Sequence, residues 1–274
     1  MVVAKITMNL GVFSPKVILS NSGTLRETYW TRDNKRNAFI SYTLLLQKPE
    51  ANIHVGYKME IFAKNTNVRL KVGLDIDNVT ADTAGLLVEI LRRQNSFKEL
   101  KMDHITHRPF HESSKFKELG ISKEMVSGIL DSIWRDHFKD IPLMDKDIGK
   151  IIGELRGRQI FINVITTMGA RDHSIRPNLQ IWLEGKGIAY DREISFVEGN
   201  VEKILAPLHT IVDDEEKLAE ALAKGSRPGI IYDRPWNRNF IGKLEREPNP
   251  LIHTVSNWEG LGSKILELQK GFRS

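Results

Sequence analysis

The chain has 274 residues, 41% hydrophobic and 27% charged, a balance that supports a packed core and excludes a disordered chain. It has no cysteine, so disulfide frameworks, thiolate metal sites and cysteine nucleophiles are excluded. The net charge of +5 is uneven: residues 1–70 carry 10 Lys and Arg against 4 Asp and Glu, and the remainder carries 30 against 31. No apolar run approaches the ~20 residues that span a bilayer. The start, Met1 to Ile6, lacks the basic-then-apolar layout of a secretion signal. A cytoplasmic chain with no membrane partner is expected.

Residues 1–67 read as a β-rich unit. Apolar and β-branched residues alternate over Val3–Met8, Lys16–Leu19, Ala38–Leu44 and His54–Phe62. Turn-prone Asn21-Ser22-Gly23, Lys48-Pro49-Glu50 and Asn65-Thr66-Asn67 punctuate them. The basic excess of residues 1–70 fits either a solvated surface or contact with nucleic acid or a protein partner.

From residue 68 to 274, strands alternate with helices, which implies βαβ units and a mainly parallel sheet. Val68–Ile76 is a strand ending in acids; its strict alternation suggests that it begins at a sheet edge or under the β unit. Helices are expected over Ala84–Arg93, Ser122–Phe138 with Ser122 as N-cap, and Asp145–Leu155. Residues 95–120 read as polar and irregular. Phe161–Ile165 is a buried strand, and Ile175–Glu184 a helix closed by Gly185. The remaining elements are strand Thr210–Val212, helix Glu215–Lys224, strand Gly229–Tyr232, strand His253–Val255 and helix Trp258–Gln269. In such a sheet the reactive groups belong at the carboxyl ends of the strands.

The strongest chemical signal is Gly73-Leu74-Asp75-Ile76-Asp77-Asn78-Val79-Thr80-Ala81-Asp82. Two carboxylates one residue apart, just past a strand, can supply a nucleophile and a nearby acid/base. The same pattern also fits an acidic or calcium-binding loop, although the later Gly and Glu of an EF-hand are missing. This segment resembles motif one of the haloacid dehalogenase superfamily, and its Ala81-Asp82 resembles the 5'-nucleotidase branch that includes the 5'(3')-deoxyribonucleotidases. Asn78 stands where that family usually has glycine, and Thr80 where it has an aliphatic residue. Further segments follow in the family's order. Phe161-Ile162-Asn163-Val164-Ile165-Thr166-Thr167 is similar to motif two, and Thr210-Ile211-Val212-Asp213-Asp214 to motif four. Segments Trp182–Ile188, Gly229–Asn237 and Val255–Trp258 resemble the elements between and after these motifs.

The resemblance implies a Rossmann-like core with a helical cap inserted over residues 83–144. It implies Asp75 as nucleophile, Asp77 as acid/base, Thr166 on the transferring phosphoryl group, and a motif-three lysine before motif four. Lys203 is the one lysine between Lys186 and Lys217, and it also fits a solvated helix face. Asp75, Asp77, Asp213 and Asp214 would converge, and two unit charges ~4 Å apart repel by about 4 kcal/mol at an effective dielectric of 20. A divalent cation relieves that repulsion, and an all-oxygen set suits Mg²⁺. His104, His107 and His111 invite a zinc site, but Pro109 interrupts any helix that would align them. Phe110, Phe116 and Trp134 are candidates to stack on a base or to fill the cap's own core.

The expected function is Mg²⁺-dependent phosphomonoester hydrolysis through an aspartyl-phosphate, on a nucleotide or similar small phosphate. The alternative is a binding or assembly protein that keeps this fold without catalysis and uses its basic N-terminal unit.

Overall fold

The computed structural model describes residues 69–170 and 172–273, together with the backbone of five strands within residues 1–68. The chain divides into two compact units, Met1–Val68 and Arg69–Ser274. In the first, β1 (Val3–Ala4) pairs antiparallel with β2 (Val17–Ile18). Strands β3 (Thr24–Asp33), β4 (Ala38–Gln47) and β5 (His54–Phe62) form an antiparallel meander. Strand β3 is an addition to the expected set, because Arg26, Glu27 and Arg32 obscure its apolar alternation. The expected turn at Asn65-Thr66-Asn67 lies outside the described residues.

The second unit is a Rossmann-like α/β fold on a six-stranded sheet, ordered β11-β10-β9-β6-β7-β8 with every pairing parallel. Strand β6 (Lys71–Leu74) lies inside this sheet between β7 (Phe161–Thr166) and β9 (Thr210–Asp213), not at an edge. Its alternation has another cause. Leu70, Val72 and Leu74 are buried on one side, while Gly73 leaves the other side to its neighbours. A Cβ at Gly73 would stand 2.6 Å from Leu208 Cδ1 and 3.2 Å from both Ile165 Cγ2 and Ile211 Cγ1. The second face is therefore filled by side chains from adjoining strands, and the missing apolar residue at position 73 is a packing requirement.

After β6 the chain forms α1 (Thr83–Arg92), α2 (Ser114–Glu118), α3 (Lys123–Asp136) and α4 (Ile148–Gly157) before returning as β7. Ser122 caps α3 by accepting from Met125 N, as its sequence position suggests. Residues 95–120 are more structured than their polarity implies. They hold short 3₁₀ turns and α2, and they bury Phe97, Leu100, Ile105, Phe110 and Phe116. Then come α5 (Arg176–Gly185), the short β8 (Ser195–Phe196) and α6 (Asn200–Leu205). The chain crosses to the other side of β6 as β9, and continues outward through α7 (Glu216–Lys224), β10 (Gly229–Tyr232), α8 (Arg238–Arg246), β11 (Ile252–Val255) and α9 (Trp258–Arg273). Strand order thus reverses at β6, and the carboxyl ends of β6 and β9 are where such a sheet places its reactive groups. Among the described residues no helix is long and apolar enough to cross a membrane.

Candidate active site

Asp75 is the first residue past β6, and its N–H donates to the Val212 carbonyl of β9 at 3.1 Å. The chain then turns tightly. Ile76 O accepts from Thr80 N at 3.0 Å and from Ala81 N at 2.9 Å. The turn requires a left-handed residue, supplied by Asn78 at φ 62°. Asparagine tolerates that region, so it serves where glycine is usual. Its Oδ1 also accepts from Thr83 Oγ1 at 3.1 Å and Ala84 N at 2.9 Å, holding the first turn of α1. Thr80 Oγ1 donates back to the Asp75 carbonyl at 2.8 Å. Both departures from the resembled motif therefore stabilise the loop that carries the two aspartates.

Asp213 ends β9, and Asp214 follows it. Asp213 Oδ1 accepts from Glu215 N at 3.0 Å. Lys203, on α6, bridges the ends of β6 and β9: its Nζ donates to Asp75 Oδ1 at 2.8 Å and to Asp213 Oδ2 at 2.7 Å. At 3% exposure Lys203 is inside the site and not on a solvated helix face. The α6 end that carries it is held by Arg227, whose guanidinium donates to the carbonyls of Ile204, Ala206 and Leu208. Sequence reading does not single out Arg227, because its partners are backbone atoms 19–23 residues away.

The residues of the insertion close the other side. Arg108 Nη1 donates to Asp214 Oδ1 at 2.9 Å. Trp236, from the loop after β10, donates Nε1 to Asp214 Oδ2 at 3.1 Å. Trp134, on α3, donates Nε1 to Asp77 Oδ1 at 3.2 Å. Neither Arg108 nor Trp236 is a candidate on sequence grounds, since each lies in an irregular stretch with no periodicity. Phe110, Phe116 and Trp134 are buried within the folded unit. Phe110 packs on Trp236 with ring centroids 5.0 Å apart, and Trp134 meets Trp182 edge-on at 5.7 Å. Those faces are taken by core packing, so the three are not open stacking platforms.

Thr166 is the buried last residue of β7, with its Oγ1 accepting from Met168 N at 3.1 Å. The side chains of Asp75, Asp213 and Asp214 each place one carboxylate oxygen within 4.8 Å of the others. Asp77, also expected in this set, falls outside it and turns to Trp134. His104, His107 and His111 belong to no such group among the described residues; His104 Nδ1 accepts from Lys101 N instead.

Burial pushes the Asp75 carboxyl well above the usual range, against the pull of Lys203. Burial likewise raises Asp77 against Arg108. It lifts Asp214 to about 7, again against Arg108. Burial opposes the charge of Lys203, but Asp213 and Asp75 outweigh it and hold the ammonium above its ordinary value. Desolvation is thus the main cause at each raised acid, and neighbouring carboxylates add to it at Asp75 and Asp214. Three buried carboxylates converging, with oxygen as the sole donor type, fit a hard divalent cation such as Mg²⁺.

No family model and no curated protein matches this sequence. Among solved structures, the chain is similar to a phosphonoacetaldehyde hydrolase-like protein from Oleispira antarctica, with 13% identity and a TM-score of 0.48 over 76% of this chain and 96% of that one. A HAD-superfamily hydrolase of subfamily IA from Geobacter sulfurreducens gives 13% identity and a TM-score of 0.45, covering 73% of this chain and 96% of that one. The L-2-haloacid dehalogenase of Xanthobacter autotrophicus gives 10% and 0.39, over 73% and 99%. These neighbours are haloacid dehalogenase-like hydrolases, and at such scores the likeness assigns no activity.

Proposed function

We propose that this chain is a divalent-cation-dependent phosphomonoesterase with Asp75 as nucleophile, probed first with nucleotides and similar small phosphates. The observation that carries this reading is the convergence of Asp75, Lys203, Asp213 and Asp214 at the ends of β6 and β9. In this reading an Asp75 carboxylate oxygen attacks phosphorus, forming an aspartyl-phosphate as the bond to the leaving oxygen breaks. Asp77 donates its proton to that oxygen. Burial raises its pKa, the direction that favours the protonated form a proton donor needs. Asp77 then takes a proton from the water that attacks phosphorus, releasing inorganic phosphate and restoring Asp75. Lys203 holds Asp75 and Asp213 in register throughout. Thr166, at the end of the adjoining strand, is the hydroxyl assigned to the phosphoryl group. Asp75, Asp213 and Asp214 are the residues that would hold Mg²⁺, which supplies positive charge to an anionic substrate. The preference for nucleotides rests on the likeness of Ala81-Asp82 to the 5'-nucleotidase branch.

The test is a panel of phosphate monoesters assayed with and without Mg²⁺, on the parent chain and on Asp75→Asn. Turnover should vanish in the variant while its circular dichroism and melting stay those of a folded protein. Near-parental turnover by Asp75→Asn would sink the assignment.

A further inference from the structure

Lys203 spends its ammonium on Asp75 and Asp213. A phosphate dianion entering the site meets the carboxylates and needs a cation with hydrogen-bond donors still free. Arg234 does not qualify: its guanidinium is engaged with Asp82 at 3.1 Å and with Met144 Sδ, and its unpartnered Nε is buried. Arg108 differs. Its guanidinium has five N–H donors, and among the described residues it makes one hydrogen bond, from Nη1 to Asp214. Its side chain is 36% exposed while that of Asp214 is 0% exposed, so it reaches a buried carboxylate from the open side. The rings of Phe110 and Trp236, 5.0 Å apart, lie together on one side of it, with its Cζ 5.7 Å and 5.8 Å from their centroids. Those rings fix the fork without using its donors.

We propose that Arg108 is the substrate-anion contact of this site: it rests on Asp214 and offers its remaining donors to the phosphate oxygens of a bound ester. This rests on the phosphomonoesterase reading and adds to it a specificity residue delivered by the insertion. Arginine suits the role because two parallel N–H groups match two phosphate oxygens, which an ammonium does not. The contact selects for the doubly charged phosphate over a singly charged diester.

The probe is inorganic phosphate, titrated calorimetrically into the full chain with saturating Mg²⁺, alongside KM and kcat for p-nitrophenyl phosphate. Arg108→Ala should weaken phosphate and raise KM by about ten- to a hundredfold, as expected for a charge-assisted hydrogen bond. Arg108→Gln keeps the stem against the rings and should show the same loss, so poor folding of the alanine variant leaves the idea testable. Arg108→Lys should recover part of the affinity. Mn²⁺ binding, read by electron paramagnetic resonance, should be no weaker in any variant. Unchanged phosphate affinity in both Arg108→Ala and Arg108→Gln would overturn the contact. So would a joint loss of Mn²⁺ and phosphate, which would mean that Arg108 merely holds Asp214. A parent chain that binds phosphate through Arg108 but turns over no ester would leave the contact standing and sink the phosphatase reading.

Discussion

Lys203 and Arg108 bring positive charge to the same acidic centre and are held in opposite ways. Lys203 is buried, bridges two aspartates, and stands on a short helix whose end is tied down by Arg227. Arg108 is one-third exposed, makes one bond, and stands on the irregular insertion. The difference teaches how to read a charge in a crevice. A cation whose donors are spent on carboxylates belongs to the framework that sets their spacing, whereas one with unspent donors is available to a ligand.

The largest expected effect breaks the framework side. Lys203→Met strands Asp75 and Asp213 as buried carboxylates without counter-charge, which costs about 3–5 kcal/mol. Urea denaturation should show that loss, and millimolar Mg²⁺ should recover more of it than in the parent, since a cation replaces the missing charge. Arg108→Met should cost less, because Arg108 is part-exposed and Asp214 keeps its hydrogen bond from Trp236. Equal losses in the two variants would erase the distinction drawn between them.

How much of this was legible in the sequence follows the same divide. Asp75, Asp213 and Asp214 sit at strand ends, and strands announce themselves through apolar runs bounded by turn residues, so the sheet and its acids could be placed. Lys203 could be named only through the resemblance and by elimination, because a six-residue helix gives almost no periodicity. Arg108, Trp236 and Arg227 were not legible at all. They act across 106, 22 and 19–23 residues, from stretches whose local pattern says nothing of what they face. The alternation of β6 suggests a sheet edge or a place under the β unit because Gly73 reads as a gap in an apolar run, and the sheet order contradicts the edge. In the fold that gap is the room that Leu208 needs.

A smaller effect sharpens the framework side. Arg227→Met removes three bonds to the carbonyls that end α6, at about 1–3 kcal/mol. Arg227 touches none of the four aspartates, so it acts by positioning Lys203. If that is its role, kcat should fall about tenfold while KM for a phosphate ester barely moves. A loss of stability with kcat unchanged would make it a structural arginine only.

An effect confined to acid pH lies just below the site, at His209, where β9 begins. Its N–H donates to Lys71 O at 2.9 Å, and its Nδ1 accepts from Lys71 N at 2.8 Å, which ties β9 to β6. Its ring packs on Phe272 with centroids 4.4 Å apart. Burial pulls its pKa from 6.5 to about 4, helped by Lys71 and Arg227. Between these values the unfolded chain binds a proton that the folded chain refuses. Stability from this group is therefore complete above pH 6.5 and is lost as pH falls towards 4, by at most about 3 kcal/mol. Asp214 works in the opposite sense, since its raised pKa makes the fold gain relative stability as pH falls from 7 towards 4. The parent's raw pH profile mixes these two with the raised Asp75 and Asp77, so the measurement must be a difference. His209→Asn supplies an oxygen acceptor for Lys71 N and does not titrate. Subtracting its unfolding free energy from that of the parent cancels Asp214, which is untouched. The difference should slope through pH 6.5 to 4, with the parent losing ground in acid. A difference that stays flat across that window would show that His209 takes up its proton without disturbing the join between β6 and β9.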